Sequence, residues 1–335
     1  MTRTLVKEHL GVSRPQVWLG HALGRIVDPL IIPSFDRTGY RIHALRFQPG
    51  DLDVDLSGRR CLVTGANSGI GFETSRALAG LGAEVVLLCR SRERGEQALE
   101  RIRAETGNRR VSLEVLDVSD LASVRAAGAR LAEARVDVLV HNAGVLPDER
   151  ALTRDGLELT LATHVVGPWL LTRLLKPLLL ESEDGRVIWV SSGGMYARHL
   201  ALRDPNWEKR GYDGVSAYAE TKRAQLVLAE LWAEDLAGSS VVVNAMHPGW
   251  VDTPAVQSSL PRFHRLTRSI LRTPAEGADT VLWLAASQRA RAWSGRFFFD
   301  REPRCTHLLP GTRESGADRR ALWDLCERLC EETHR

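Results

Sequence analysis

Cysteine and long apolar runs are both scarce in this chain of 335 residues. The five cysteines are an odd number and form no obvious disulfide framework, so without a secretory signal we expect a reducing, cytoplasmic compartment. No apolar run reaches the ~20 residues that span a bilayer. The nearest run, residues 15–33, is interrupted by Arg25, Asp28 and Pro29 and is predicted to be an amphipathic docking segment.

An excess of charge of one sign is also absent. The chain has 45 Lys and Arg against 42 Asp and Glu, a net charge of +3 that is spread along its length, which argues against a nucleic-acid partner. Cys326 and Cys330 stand four residues apart, but their pattern lacks the further ligands of a zinc site, so we expect no metal. The composition, 44% apolar and 26% charged, is typical of a globular protein.

Short apolar runs alternate with helical stretches from about residue 58 onward, a pattern typical of a parallel sheet with crossover helices. The runs are apolar throughout, as expected for strands covered on both faces. We therefore predict an α/β fold, a Rossmann-type, doubly wound parallel sheet of about seven strands in a single domain. The predicted strands are Arg60–Thr64, Glu84–Cys89, Val111–Leu116, Val136–Val140, Arg186–Val190, Val241–Asn244 and Gly295–Phe299.

A glycine-rich turn follows the first predicted strand and precedes a helical stretch from Phe72 to Leu81. Such a turn lets a pyrophosphate approach backbone N–H groups at a helix N-terminus, where the helix dipole favours negative charge. A glycine-rich turn without a ligand is the alternative, and the strand–turn–helix context favours a dinucleotide. The predicted phosphate-binding residues are Gly65, Asn67, Ser68, Gly69, Ile70 and Gly71.

The end of the second predicted strand bears on the choice of nicotinamide cofactor. An acidic residue there would bind the adenosine ribose of NAD, but the sequence reads Cys89-Arg90-Ser91-Arg92. Arg90 can pair with a 2′-phosphate, which favours NADP (NADPH) over NAD. A solvent-facing loop arginine is the alternative.

Two further turns are placed to contact the same cofactor. Asp117 and Val118 follow the third predicted strand and are expected beside the adenine. Asn142, Ala143 and Gly144 follow the fourth, where small residues let the backbone approach a ligand.

A Tyr-x-x-x-Lys pair, Tyr218 and Lys222, opens a long helical stretch after the fifth predicted strand, which ends in Ser191 and Ser192. Residues four apart share a helix face, so an ammonium would lie near the phenol and lower its pKa. Tyr218 can then act as acid/base, while Ser192 orients the substrate oxygen and Lys222 holds the nicotinamide ribose. A half-exposed helix face is the alternative interpretation of the pair.

Taken in order, these motifs resemble the short-chain dehydrogenase/reductase superfamily over about residues 55–300. Cys89-Arg90 and Asn206-Trp207-Glu208 are similar to its retinol-dehydrogenase-like branch. Other stretches resemble the group within it called dehydrogenase/reductase SDR family member 12: Gly39-Tyr40, Val190-Ser-Ser-Gly-Gly-Met195, Met246-His-Pro-Gly-Trp250, Asp252-Thr-Pro254, Gly277-Ala-Asp-Thr280 and Ser294-Gly-Arg-Phe-Phe298.

The resemblance implies further site residues. Pro248 and Gly249 would cover the nicotinamide, with the Val251 backbone at its carboxamide and Thr253 near the phosphates. Pairing of two copies through the helix that carries the Tyr-x-x-x-Lys motif and the helix before it is also implied.

The chain departs from the family at the catalytic asparagine, where counting back from Gly167 gives His164. In the family this asparagine positions a water that links the lysine to solvent. An imidazole can both donate and accept near neutral pH, so His164 is a candidate for that relay. A packed histidine with a weakened relay is the alternative.

We expect an oxidoreductase that interconverts an alcohol and a carbonyl on a small apolar substrate. Met195, Tyr196 and Trp250 would line its pocket under a lid of residues 256–270. The alternative is a catalytically weak NADP(H)-binding sensor. The segments are an extension (1–57), a catalytic domain (58–303) and a helical tail (304–335). Residues 10–33 of the extension either pack on the domain or a dimer partner, or rest on a membrane.

Overall fold

Seven parallel strands and one short antiparallel strand form the centre of the computed structural model, which describes residues 14–28, 30–308 and 311–332. The sheet order is β3-β2-β1-β4-β5-β6-β7-β8, the doubly wound topology in which chain connections leave β1 in both directions. The strands are β1 Arg60–Thr64, β2 Glu84–Cys89, β3 Val111–Val115, β4 Val138–His141, β5 Gly185–Val190, β6 Val241–Met246, β7 Arg296–Phe299 and β8 Glu302–Pro303.

The predicted α/β class and the parallel sheet are confirmed, with strand ends within two residues of the prediction. The exception is β8, an antiparallel edge strand that pairs with β7. Asp300 and Arg301, both with positive φ, reverse the chain between the two strands. A two-residue strand is too short for hydrophobic periodicity, so the sequence pattern contained no signal for it.

Helices cover both faces of the sheet, and two apolar clusters form the core. One cluster lies under α4, α5 and α12, and the other lies under α6, α8, α9 and α13. The helices are α1 Arg14–Val27, α2 Ile31–Phe35, α3 Arg37–Ala44, α4 Gly69–Gly80, α5 Arg92–Thr106, α6 Leu121–Leu131, α7 Leu159–Leu161, α8 Gly167–Leu180, α9 Gly214–Asp235, α10 Pro254–Ser259, α11 Pro261–Thr267, α12 Pro274–Ala286 and α13 Gly316–Glu332.

The N-terminal extension packs on the domain through a buried charged cluster. His43 of α3 is fully buried and forms ion pairs with Asp28 (2.9 Å) and Asp300 (2.6 Å). Asp300 in turn accepts two hydrogen bonds from the buried guanidinium of Arg272 (2.5 and 2.8 Å). These contacts agree with packing on the chain's own domain, the first of the predicted alternatives.

The extension also has an exposed apolar side. Leu19, Leu30, Ile31 and Ile32 are all exposed, whereas residues 10–13 of the predicted amphipathic segment lie outside the described residues. Within the described part of the chain, no helix combines the length and the apolar character needed to cross a membrane.

The C-terminal tail contributes to the core through α13. Its Cys326 and Cys330 share a buried face, as their four-residue spacing predicts. Trp323 of the same helix packs edge-on against Trp169 of α8 and Trp232 of α9. Helix α13 therefore covers part of the surface formed by α8 and α9.

Candidate active site

The end of β5, a π-helical turn and the first turns of α9 bring the predicted catalytic side chains together. Asp213 begins α9 by accepting a hydrogen bond from the Ser216 N–H (2.7 Å). Tyr218 and Lys222 lie one turn apart on this helix, with the Lys222 Nζ 5.4 Å from the centre of the Tyr218 ring. The side chains therefore share a face, as their spacing predicts.

Lys222 is held by two acceptors in a buried position. Its Nζ donates to the Val190 carbonyl at the end of β5 and to Gln225 Oε1, both at 2.9 Å. Burial lowers the pKa of Lys222 to about 7. The sequence analysis missed Gln225, although its position three residues after Lys222 on a helix puts the two side chains on one face.

The expected lowering of the Tyr218 pKa by the ammonium is wrong for this structure. Burial raises the pKa of Tyr218, and a hydrogen bond with Ser192 offsets part of that rise. The Lys222 Nζ donates to the Val190 carbonyl and to Gln225 and lies 5.4 Å from the centre of the Tyr218 ring, and its charge does not offset the effect of burial on the phenol. Spacing on a helix established proximity but could not establish where the ammonium points.

His164 lies in a π-helical turn, Ala162–Val166, between α7 and α8. Such one-turn widenings of a helix occur frequently at functional sites. The imidazole is fully buried and its ring centre is 5.4 Å from that of Tyr218. The position predicted from the family pattern therefore lies beside Tyr218.

The hydrogen bonds of His164 define its tautomer. The Val145 N–H donates to Nε2 (3.0 Å), so Nε2 carries no proton, and Nδ1–H donates to Thr221 Oγ1 (2.8 Å). Burial, and to a smaller extent the charge of Lys222, hold the pKa of His164 well below its usual value. The ring is therefore neutral at physiological pH, and protein groups occupy both of its nitrogens.

The two serines at the end of β5 have different surroundings. The Ser191 hydroxyl is buried and donates to the Lys222 carbonyl (2.8 Å), which ties the strand to α9. The Ser192 Oγ accepts a hydrogen bond from the Gly194 N–H (3.2 Å) and is half-buried. Ser192 is thus the more exposed of the two serines, and its predicted contact with a substrate stays a prediction.

The glycine turn forms a tight cradle around the start of α4. Gly69 adopts a left-handed conformation with φ +55°, which most residues avoid. A Cβ at Gly71 would lie 2.4 Å from the Asn142 amide nitrogen, so only glycine fits there. Asn142 Nδ2 donates to the Thr64 carbonyl (2.9 Å), which joins the ends of β1 and β4.

The N-terminus of α4 suits a phosphate. Ser68 is the residue before the helix, and its side chain makes no capping hydrogen bond to the first N–H groups of α4. Those N–H groups are directed toward the cradle, where an anion can satisfy them. The residues predicted for the pyrophosphate, Gly65, Asn67, Ser68, Gly69, Ile70 and Gly71, therefore lie together and fit a dinucleotide.

Two residues at the ends of β2 and β3 lie side by side. The Arg90 side chain is 60% exposed and its Nε is 4.0 Å from Asp117 Oδ2. Asp117 Oδ1 accepts hydrogen bonds from the N–H and hydroxyl of Ser119. Val118 is buried, and its carbonyl lies where a side chain at Gly167 would clash. An exposed Arg90 is free to turn toward a phosphate.

The segment after β6 reaches over the glycine turn. Thr253 accepts a hydrogen bond from the Val256 N–H and so begins α10 (3.3 Å). Its methyl group lies 3.3 Å from the position that a Cβ at Gly69 would take. Val251 is buried and pairs with Arg272 in an isolated parallel bridge. Thr253 therefore lies beside the phosphate cradle, as the resemblance implies.

The three residues predicted to line an apolar pocket are not equivalent. Met195 is fully buried in the core, and the Tyr196 hydroxyl donates to the Cys305 carbonyl (3.0 Å). Trp250 is half-buried and meets Phe263 of α11 edge-on, with ring centres 5.3 Å apart. The lid prediction corresponds to α10 and α11. A cleft of about 170 Å³ opens beside them, lined by Leu146, Pro147, Asp148, Tyr212, Asp213, Gly214, Val215 and Ser259.

Comparison with known proteins agrees with these motifs. Residues 59–262 match the family model for short chain dehydrogenase. Dehydrogenase/reductase SDR family member 12 of Bos taurus is 43% identical, over 88% of this chain and 94% of its own. Retinol dehydrogenase 12 of Homo sapiens is 36% identical, over 83% and 88%. A solved short chain dehydrogenase structure from Escherichia coli CFT073, complexed with NADPH, is 29% identical with a TM-score of 0.61, over 74% and 98%.

Proposed function

Because the chain belongs to the short-chain dehydrogenase/reductase family of oxidoreductases, we propose that it interconverts an alcohol and a carbonyl on a small apolar substrate, using NADP(H). The observation that carries this proposal is the convergence of Ser192, Tyr218 and Lys222 next to the glycine cradle. A cofactor-binding module without a reaction has no need of all three side chains in one place.

The cofactor, when bound, supplies or accepts a hydride. The N-terminus of α4 holds the pyrophosphate, and Asn142, Ala143 and Gly144 let the backbone pass close to the dinucleotide. Arg90 binds the 2′-phosphate that distinguishes NADP from NAD. The NADPH complex of the Escherichia coli relative supports this choice of cofactor. Asp117 and Val118 lie at the adenine end of the proposed cofactor site, and residues 248–253 cover its nicotinamide end.

Ser192 and Tyr218 act on the substrate oxygen. The Ser192 hydroxyl donates a hydrogen bond that orients the oxygen and polarises the carbonyl. Because burial raises the pKa of Tyr218, its hydroxyl is protonated at neutral pH and donates that proton to the oxygen during reduction. In the oxidation of an alcohol, Tyr218 must first lose its proton, and its phenolate then accepts the proton of the alcohol. Lys222, when charged, stabilises the phenolate that remains after proton donation.

His164 acts through its neighbours in this scheme. Its neutral ring joins the Val145 backbone to Thr221 of α9, one turn beside Tyr218. Both ring nitrogens are engaged, which favours the packed histidine over the solvent relay, the two alternatives that the sequence left open. We therefore assign His164 a positioning role, with no proton transferred through it.

An apolar substrate is supported by the aromatic contact between Trp250 and Phe263 at the lid. The name of the human relative, retinol dehydrogenase 12, points to the same class of substrate. We propose that α1 to α3 serve mainly to pack on the domain. The exposed Leu30, Ile31 and Ile32 remain the surface at which a peripheral membrane contact would form.

Helix α13 covers part of the surface through which two copies of this chain would pair at α8 and α9. The α13 helix lies against both, with Trp323 between Trp169 and Trp232 and with Arg319 paired to Glu230. We propose that a homo-oligomer, if formed, uses another face. Light scattering of the full chain and of a variant that lacks residues 316–335 tests this proposal. Removal of α13 exposes α8 and α9, so the variant should pair and show a larger molar mass in solution.

The central experiment measures NADPH oxidation by a panel of apolar aldehydes and ketones. Tyr218→Phe should lower kcat by about 10²–10⁴-fold, since the general acid is removed. Tyr196→Phe is the matched control, because that hydroxyl bonds only the Cys305 carbonyl among the described residues. Equal rates for wild type and Tyr218→Phe would contradict the mechanism. Binding of NADPH without turnover of any carbonyl would favour the sensor.

A further inference from the structure

The N-terminal extension inserts one aromatic side chain among the carboxyl ends of the sheet strands. Phe35, the last residue of α2, has its ring centre 4.6 Å from that of His247, 5.3 Å from Phe299 and 6.2 Å from Trp250. His247 and Phe299 are buried, whereas Phe35 is half-buried. Phe35 therefore keeps part of its surface accessible, unlike the buried His247 and Phe299.

The same ring contacts the residue that follows Ser192. A Cβ placed on Gly193 would lie 2.5 Å from Phe35 Cε2 and 3.3 Å from two other ring atoms, so Phe35 fills the space that a side chain there would need. The Phe35 carbonyl accepts a hydrogen bond from the Trp250 N–H (2.8 Å). Phe35 therefore bridges the loop after β5, which holds the proposed substrate oxygen, and the loop after β6.

A buried guanidinium fixes the backbone on both sides of Phe35. Arg272 donates to the Ser34 carbonyl (3.0 Å) and to the Asp36 carbonyl (3.1 Å). It also donates to the Pro248 carbonyl (3.3 Å), at the start of the segment proposed to cover the nicotinamide. The Arg272 side chain thus joins the extension to this segment. The backbone that carries the Phe35 ring is therefore held in place by hydrogen bonds on both sides.

We propose that Phe35 forms the wall of the substrate site beside Ser192 and determines which substrates fit. The inference rests on the proposed function and deepens it. A carbonyl whose oxygen binds Ser192 carries its larger substituent toward the aromatic cluster, where the exposed part of the Phe35 ring limits its bulk. The substrate class it favours has a compact or flat apolar group next to the carbonyl carbon.

The test compares methyl ketones whose second substituent grows from propyl to cyclohexyl to naphthyl. The measured quantity is kcat/KM for the bulkiest ketone divided by kcat/KM for the smallest. Phe35→Ala should raise this quantity by about 10-fold or more, because an apolar pocket discriminates by at least this factor for each methylene that does not fit. Phe47→Ala is the control. Phe47 belongs to the same extension and is buried, but it packs on Tyr40 and Arg301. Should either alanine variant unfold, Phe35→Leu and Phe47→Leu replace them.

Calorimetric titration of the same ketones into wild type and variants, each saturated with NADP, measures size selectivity without turnover. A shifted preference in the Phe35 variant with an unchanged NADP Kd supports the proposal, even if no ketone is reduced and the proposed reaction fails. An unchanged preference relative to the Phe47 variant overturns it. Failure of wild type to bind any ketone also overturns it, because the wall would then border no substrate site.

Discussion

Replacing Asp300 by Asn tests how strongly the extension is held on the domain. Asp300 is almost fully buried and contacts both Arg272 and His43. Its φ is +49°, a conformation that Asn tolerates as readily as Asp, so the substitution removes a charge and leaves the backbone unstrained. The side chain keeps its size, so the loss of stability comes from the missing charge and from the NH₂ group that replaces one accepting oxygen.

In this variant Arg272 loses its carboxylate partner, and His43 keeps only the carboxylate of Asp28. Removing one partner of a buried ion pair costs about 3–5 kcal/mol, because the remaining charge stays in a poorly solvated site. Asp28→Asn is the comparison variant: its carboxylate contacts the same histidine and also accepts from Arg304 (2.8 Å), but its side chain is 26% exposed. We expect it to lose less stability than Asp300→Asn, because solvent screens the charges on its exposed side.

The loss should depend on pH because His43 titrates. Burial by itself lowers the pKa of His43, but its bonds to Asp28 and Asp300 outweigh burial and raise that pKa above 6.5. The stabilisation from charged His43 is therefore complete below the unfolded-state pKa of about 6.5 and is lost as pH rises through the raised folded-state value. The pair between Arg272 and Asp300 does not involve His43, so part of the difference persists at high pH.

The assay is urea unfolding of wild type and both variants, followed by circular dichroism at pH 6 and pH 9. We expect the difference between wild type and Asp300→Asn to be larger at pH 6 than at pH 9. A difference below 1 kcal/mol at both pH values, or one equal to that of Asp28→Asn, would refute the assignment of a buried clamp. A difference of several kcal/mol that is the same at pH 6 and pH 9 would refute only the inference that His43 is charged at pH 6.

Three further predictions concern the candidate site. Arg90→Ala should raise the KM for NADPH about 10-fold or more while the KM for NADH stays constant, since only the 2′-phosphate loses a charged partner. Arg92→Ala is the control for Arg90→Ala, and equal effects on both cofactors would contradict the role of Arg90. His164→Asn should keep or raise turnover, because an amide also offers one donor and one acceptor; loss of activity at an unchanged Tm would count against this. The kcat of carbonyl reduction should fall as pH rises through about 7, where Lys222 loses its charge. The arginine of Lys222→Arg stays charged, so the fall in kcat should move to higher pH. A wild-type kcat that is constant from pH 6 to pH 9 would refute the role of the Lys222 charge.

The parallel sheet could be predicted because its signals are local. The apolar runs of the strands and the glycine turn each depend on neighbouring residues, so periodicity and turn chemistry predicted them. The pairing of Tyr218 with Lys222 was predictable from their i, i+4 spacing on a helix, and their grouping with Ser192 followed from the resemblance to the family. β8 was not predictable, because two residues show no period.

Orientation and distant contacts were beyond the sequence. The i, i+4 spacing puts Lys222 beside Tyr218, but the direction of its ammonium depends on Val190, which comes from another strand. The tautomer of His164 depends on an N–H donated by Val145, 19 positions away. No sequence pattern links Phe35 to Gly193: Gly193 lies in a stretch that resembles the family, Phe35 does not, and tertiary folding alone brings them into contact.

The clamp between His43 and Asp300 also imposes an order on synthesis. The two residues are 257 positions apart, so at about 5–20 residues per second the extension leaves the ribosome roughly 13–50 s before its partner strand exists. During that interval α2 lacks part of its docking surface, which includes Phe299 at the end of β7. The extension is translated before the domain on which it packs, so Phe35 is fully enclosed beside Gly193 only after the last parallel strand has been made.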